Sequence, residues 1–239
     1  MAFAAACAKG SNPGTRHLAH LRKSYHCRVH LILASASPRR AELLRSAGYE
    51  FDTHPVDIDE SPKNGETPVA YVERLAIEKA ARAWSDLSGP AKAGHYVLPG
   101  PPEGGHYVLL AADTAVVVGD EILGKPKDDD DARRMLTRLS GRSHLVMTGV
   151  CLQATQRSVS HVEITSVTFA SLTEAQIAWY VASGEGLDKA GAYAIQGLAS
   201  RFIPRIEGSY SNVVGLPIAA VAGLIQRITD ARPVLASGQ

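Results

Sequence analysis

The sequence predicts an α/β fold, and three stretches carry that prediction. Leu31–Gly48 (LILASASPRRAELLRSAG) passes from an apolar run through a hydroxyl-bearing turn into a helical pattern. Tyr107–Val118 (YVLLAADTAVVV) is the most strand-like run in the chain and reads as a central strand. Around these, helical patterns at Thr67–Ala80 and Pro217–Ile228 alternate with further strand-like runs.

In the opening unit, Leu31–Ala34 suits a buried strand. Ser37 is a good N-cap, Pro38 a good first helical residue and Gly48 a natural stop. Ala41, Leu43, Leu44 and Ala47 fall at helical spacing. Ser35, Ser37, Arg39 and Arg40 then gather hydroxyls, free N–H groups and guanidinium forks at one helix start, a combination suited to a phosphate chain. The same turn also reads as a capped helix with two solvated arginines.

Tyr49–Val56 reads as a second strand leading into Asp57-Ile58-Asp59-Glu60. Thr67-Pro68 starts a long helix with Val69, Val72, Leu75, Ala76 and Ala80 at core spacing and Lys79 late in it. Taken alone, Glu60 is a solvated loop acid and Lys79 a surface lysine. Residues 86–105 read as a Pro/Gly-rich surface insertion, in which Gly94–Leu98 repeats as Gly105–Leu109. Asp113 and Thr114 interrupt the central strand. A carboxylate inside an apolar run must be paired or used, so Asp113 is a candidate for chemistry as well as for a satisfied structural role.

A turn at Gly119-Asp120 and the segment Ile122–Pro126, with Lys125, lead to a helix near Asp128. The Asp128–Asp131 run suits that helix's positive end better than a metal site. Ser143–Gln156 and Ser158–Phe169 read as paired strands, and Thr173 opens a helix whose Ile177, Trp179, Tyr180 and Val181 read as core. Asp188–Gly197 reads as a loop-to-strand segment with Gln196 near its end, Phe202–Glu207 as a strand and Gly208–Asn212 as a turn.

The chain has 239 residues, a net charge of +1 and three cysteines. Residues 1–30 hold five basic residues (Lys9, Arg16, Arg22, Lys23 and Arg28) and no acid, so the remainder is net acidic. A mildly acidic body argues against broad nucleic-acid binding, which needs a large basic face. Cys7, Cys27 and Cys151 form no Cys-x-x-Cys pair, which speaks against a disulfide framework or structural zinc and for a reducing cytoplasm. No apolar run approaches a membrane span. Residues 1–30 are expected to be a disordered extension. Their composition also fits an organellar transit peptide, which would change the location, or an over-long start. The tail at 231–239 is expected to be flexible. A phosphate-binding P-loop, a Gly-x-Gly-x-x-Gly turn after the first strand, a Gly-x-Ser-x-Gly elbow and a His-Glu-x-x-His helix are all absent from the sequence. What survives is a set of acids and phosphate-clamping basic residues, which suggests metal-assisted phosphoryl chemistry.

The motifs Ser35-Ala-Ser-Pro-Arg-Arg40, Asp57-Ile-Asp-Glu60, Leu75-Ala-x-x-Lys79, Ala112-Asp-Thr114, Gly124-Lys-Pro126, Thr148-Gly-Val150, Asp188-Lys-Ala-Gly191 with Ile195-Gln-Gly197, and Gly208-Ser-Tyr-Ser-Asn212 occur in unbroken order. Together they resemble the Maf family of nucleoside triphosphate pyrophosphatases, over one catalytic domain at about 31–230. The resemblance implies an elongated mixed sheet flanked by helices, a cleft between two lobes as in Maf- and ITPase-like folds, a homodimer, and a divalent cation (Mg²⁺ or Mn²⁺). It implies hydrolysis of a nucleoside triphosphate to monophosphate and pyrophosphate, with Asp113 as proton acceptor. It ties Arg39, Thr114 and Gln196 to substrate choice, Ser37, Arg40, Lys79 and Lys125 to phosphate, and Glu60 with Asp113 to the metal. The turn motifs, with Arg39 where the 7-methyl-GTP branch usually has an aromatic residue, resemble the dTTP/UTP branch. A 7-methyl-GTP pyrophosphatase and a non-catalytic nucleotide-binding regulator of cell division are the alternatives.

Overall fold

The computed structural model describes residues 29–88, 106–155 and 157–230. The expectations for residues 1–28, 89–105 and 231–239 lie outside the described residues. The described strands form one seven-stranded mixed sheet in the order β2-β1-β3-β5-β6-β7, with β4 paired to β3. β1 (Val29–Leu33) runs parallel to β2 (Phe51–Thr53) and to β3 (His106–Val118). β4 (Glu121–Leu123), β5 (Ser143–Ala154), β6 (Arg157–Thr168) and β7 (Arg205–Glu207) join by antiparallel pairing. β1 opens at Val29, two residues before the apolar run suggests.

Side-chain alternation along β3 sorts the helices onto the two faces. Its odd residues Leu109, Ala111, Ala115 and Val117 meet α2 (Pro68–Ser88). Its even residues Val108, Leu110 and Ala112 meet α1 (Pro38–Ser46) and α6 (Ile218–Asp230). Val116 and Val118, further along that face, belong to a separate core with α3 (Asp129–Leu139) and α4 (Glu174–Ala182). Thr114 lies between these two cores. A polar row there (Thr114 on β3, Thr148 on β5, Asn212 on the short α5, Tyr210–Val214) runs between them.

The helix α2 approaches the sheet closely because its buried stripe is small: Ala76, Ala80 and Ala83 beside Val72 and Leu75. On β5, Gly149 lies directly across from Asp113 and beneath Val72, where a Cβ would stand 2.2 Å from the Val72 carbonyl oxygen. Only glycine permits that approach.

Several local expectations are corrected. Residues 86–88 continue α2, and the second strand is short, Phe51–Thr53. Val69 and Ala47 are exposed, as is Trp179, whose flat face instead meets the Arg201 guanidinium. Asp188–Gly197 contains no strand: Gly191 and Ala192 take left-handed backbone conformations (φ 71° and 59°), and the Gly191 N–H is tied to Gly124 O. An extended ladder cannot pass through two such residues. Phe202 ends a 3-10 turn, leaving only Arg205–Glu207 as strand. Gly208–Asn212 leads into α5, because the Ser209 hydroxyl accepts the Asn212 N–H and caps it. The Asp128–Asp131 run behaves as a cap, with the Asp128 carboxylate accepting the Asp131 N–H at 2.8 Å.

Candidate active site

The site arises where β3 outruns its neighbour. β1 pairs with β3 only as far as Leu110, and β4 joins the same edge at Val116. Between them, Ala111–Ala115 form a notch in the sheet, so that side chains from both faces of β3 reach one cleft of about 560 Å³. That volume lies within the usual range for small-molecule sites. The loop leaving β1 brings Ser35 and Ser37, the start of α1 brings Arg39 and Arg40, and the loop after β4 brings Lys125. Glu60, Lys79, Asp113, Thr114 and Gln196 complete the set, so all ten residues singled out from sequence line this cleft.

They do not stand in equivalent situations. Asp113 and Lys79 are buried partners: the Lys79 ammonium donates to Asp113 Oδ1 at 2.6 Å and lies 2.5 Å from Glu60 Oε1. Lys79 is therefore no surface lysine. It falls on the buried stripe of α2 and is held by two carboxylates. Glu60 is half exposed. Burial alone would raise its pKa, but the Lys79 hydrogen bond and the charges of Lys79, Lys125 and Arg40 hold it below the ordinary value. The Tyr71 hydroxyl donates to the Glu60 carbonyl at 2.9 Å and so anchors that loop. Burial and then the Asp113 charge push the Tyr71 pKa up to about 12.

The two adjacent arginines divide the work. Arg40 is interior and its fork is committed: Nε to Gly215 O and Nη1 to Ala112 O, both at 2.8 Å, with Nη1 also to Ser35 Oγ and Nη2 to Thr114 Oγ1. It clamps α1 to β3 and to the turn after α5. Burial lowers its pKa and the Asp113 charge opposes that shift. Thr114 is similarly engaged, by Arg40 and by Thr148 at 3.0 Å. Arg39 faces the cleft, with an ion pair of 3.4 Å to Asp188, a residue the sequence reading left without a role. Lys125 and Gln196 are exposed at the rim. The Ser37 side chain makes no capping bond, so the first-turn N–H groups of α1 are not closed off by it. Its own N–H donates to Ser35 Oγ.

The cleft therefore holds a buried acid paired with lysine, a second acid on the same lysine, an open helix start, and basic groups at the mouth, Lys125 and the Asp188-paired Arg39. Such an arrangement can receive a polyanion and position water against it.

A family model described as Maf-like protein matches residues 30–228. The chain belongs to the Maf-like protein family. Among the relatives of this Maf-like chain, an Anaeromyxobacter sp. (strain Fw109-5) protein is 47% identical over 213 residues, covering 87% of this chain and 94% of its own. A Pseudoalteromonas atlantica protein is 46% identical, covering 83% and 97%. A Myxococcus xanthus protein is 49% identical, covering 82% and 91%. Each of the three is named dTTP/UTP pyrophosphatase. Among solved structures, that of the Staphylococcus aureus Ham1 protein covers 83% of this chain and 99% of its own, with 13% identity and a TM-score of 0.45.

Sequence reasoning missed Tyr71, Asp188 and Lys189 as cleft residues. Asp188-Lys189 lies within a motif quoted above, and Tyr71 sits one residue before the buried stripe of α2, so both carried a usable signal.

Proposed function

We propose that this chain hydrolyses dTTP and UTP to the nucleoside monophosphate and pyrophosphate. The observation that carries the reading is the buried Lys79–Asp113 pair, opening into a cleft lined with phosphate-suited groups. The names of the relatives, 44–49% identical across most of the chain, point to the same reaction.

In this mechanism the triphosphate lies over the start of α1, where the Ser37 hydroxyl and the first-turn N–H groups donate to its oxygens and Arg39 and Lys125 neutralise their charge. Arg40 acts by keeping the floor of the cleft rigid, since its donors already have protein acceptors. Asp113 accepts the proton of the water that attacks the α-phosphorus, and the α–β bridging oxygen leaves with pyrophosphate. Lys79 holds Asp113 in place, and Gln196 offers its exposed amide to the pyrimidine edge. A site that hydrogen-bonds one base edge strongly disfavours bases that leave its polar groups unpaired.

A divalent cation fits the donor set. Glu60 and Asp113 converge on a point that already accommodates a positive charge, the Lys79 ammonium. Among the described residues no group of three or more His, Cys, Asp or Glu could hold a metal. Two carboxylates plus phosphate and water oxygens are the usual environment of Mg²⁺. Such an ion, when bound by Glu60 and Asp113, polarises phosphate oxygens.

Pyrophosphate release with Mg²⁺ or Mn²⁺, measured across dTTP, UTP, CTP, GTP and 7-methyl-GTP, tests the proposal. Preference for dTTP and UTP is the expected result. Turnover of 7-methyl-GTP instead would retain the chemistry and overturn the substrate. No turnover by folded protein would favour a binding regulator.

A further inference from the structure

Gln196 stands in a loop with no regular secondary structure of its own, yet selecting a base requires that its amide be held at a set depth in the cleft. Two side chains outside the cleft lining hold both ends of that loop. Tyr180, fully buried on α4, accepts the Ala194 N–H on its hydroxyl oxygen at 3.1 Å and donates its own proton to Glu185 Oε2 at 2.7 Å. Glu185 Oε1 accepts the Leu198 N–H at 2.9 Å. The carboxylate lies so close to Gly197 that a Cβ there would stand 1.9 Å from Oε1. Between the two grips, Gly197 N–H donates to Ala194 O at 3.1 Å and closes the turn whose tip is Gln196.

We propose that Tyr180 and Glu185 form a clasp that sets the position of Gln196 and thereby the base preference of the enzyme; this rests on the reading of Gln196 as the residue that meets the base. Neither residue lines the cleft, so both are positioning residues. The chemistry suits a fixed clasp. Burial and the hydrogen bond to Glu185 both raise the Tyr180 pKa, so the hydroxyl keeps its proton and remains a donor. A carboxylate accepting on both oxygens makes stronger bonds than a neutral acceptor would. The adjoining loop is also fixed on its other side, where Gly191 N–H reaches Gly124 O beside Lys125. The base-facing loop and the phosphate-facing lysine thus share one rigid frame.

The test compares kcat/KM for UTP and GTP in the wild type, Tyr180→Phe, Glu185→Gln, Gln196→Ala and the Tyr180→Phe/Gln196→Ala double variant, with Tm measured for each. Tyr180→Phe removes only the hydroxyl and keeps the ring in its packing. The UTP-to-GTP ratio is expected to fall about tenfold in Tyr180→Phe, in Glu185→Gln and in Gln196→Ala, the scale of one well-placed hydrogen bond. In the double variant the ratio should match that of Gln196→Ala alone, because Tyr180 acts through Gln196. Additive losses in the double variant, or equal losses toward both substrates in Tyr180→Phe, would mean that the clasp only supports the fold and would overturn the proposal. An unchanged ratio in Gln196→Ala would remove the base-reading role itself. A reduced ratio in Gln196→Ala with an unchanged one in Tyr180→Phe and Glu185→Gln would leave that role standing and overturn the clasp alone.

Discussion

Replacing Gly149 by alanine tests how the approach of α2 to the sheet builds the site. The added Cβ would lie 2.2 Å from Val72 O, 2.5 Å from Val72 C and 2.9 Å from Glu73 N. All three atoms are backbone, so no rotamer change relieves the overlap, and restoring an ordinary contact moves α2 off β5 by about 1 Å. Lys79 lies seven residues beyond Val72, two turns along the same buried stripe, and Gly149 faces Asp113 across the β3–β5 ladder. Lifting α2 there therefore draws Lys79 away from Asp113, a contact of 2.6 Å. Overpacking of this kind costs about 1–3 kcal/mol, which for a domain of this size lowers Tm by roughly 2–12 °C. An ångström of misplacement at a catalytic pair can cost up to about a hundredfold, so kcat for UTP should drop about ten- to a hundredfold. Thermal unfolding and pyrophosphate release on the same preparation measure both effects. A Gly149→Ala protein with wild-type Tm and kcat would show that the site does not depend on this close approach of α2.

Other perturbations follow from the same geometry. Lys79→Met leaves two carboxylates facing each other without their shared cation. It should cost about 3–5 kcal/mol, seen as a lowered denaturant midpoint that a Lys79→Met/Asp113→Asn double variant partly restores. Arg40→Lys cannot satisfy Gly215 O, Ala112 O and Thr114 Oγ1 at once. With buried acceptors left unpaired it should lose about 2–4 kcal/mol, and the loss should appear in Tm as well as in activity. His144 is buried with its Nε2 2.8 Å from the Tyr193 hydroxyl, and burial pushes its pKa down to about 4. The unfolded chain therefore binds this proton first, so stability is full above pH 6.5 and falls as pH drops toward 4, by about 3 kcal/mol from this group. Denaturant unfolding of wild type and His144→Gln between pH 7 and 4 should show a shallower decline in the variant.

Much of this architecture is readable in the residues. Apolar runs mark the strands at 107–118, 143–154 and 157–168, and helices open where expected after Ser37, Asp128 and Thr173, although Ser37 makes no side-chain capping bond. The site residues are legible as a set because each stands at an element boundary or breaks an apolar pattern. Asp113 interrupts β3, and Lys79 falls on a stripe that is otherwise Val, Leu and Ala. Their division of labour is not legible. Arg39 and Arg40 are adjacent and chemically identical, yet one faces the cleft and the other is locked by backbone carbonyls from β3 and from the turn after α5. Those acceptors lie 72 and 175 residues away, so no local pattern announces them. The strand expected within Asp188–Gly197 is absent because two left-handed residues, Gly191 and Ala192, decide the path, and residue type alone does not announce them. Trp179 fits a core stripe by spacing, but it stays exposed, with only the 3-10 turn at Leu198–Phe202 against it, where Arg201 stacks on the ring and Phe202 meets its edge.

In the proposed reaction Asp113, at the notch in β3, drives cleavage of a pyrimidine nucleoside triphosphate between its α and β phosphates. The most direct measurement is product analysis of UTP hydrolysis by wild type and Asp113→Asn, with folding of both verified by Tm. Asparagine preserves the shape and leaves Lys79 paired to Glu60, so the variant should fold. Wild type should give UMP and pyrophosphate, and kcat in the variant should fall by about 10²–10⁴. UDP and phosphate as products would exclude α–β cleavage, and a folded Asp113→Asn protein within a few-fold of wild type would exclude Asp113 as the proton acceptor.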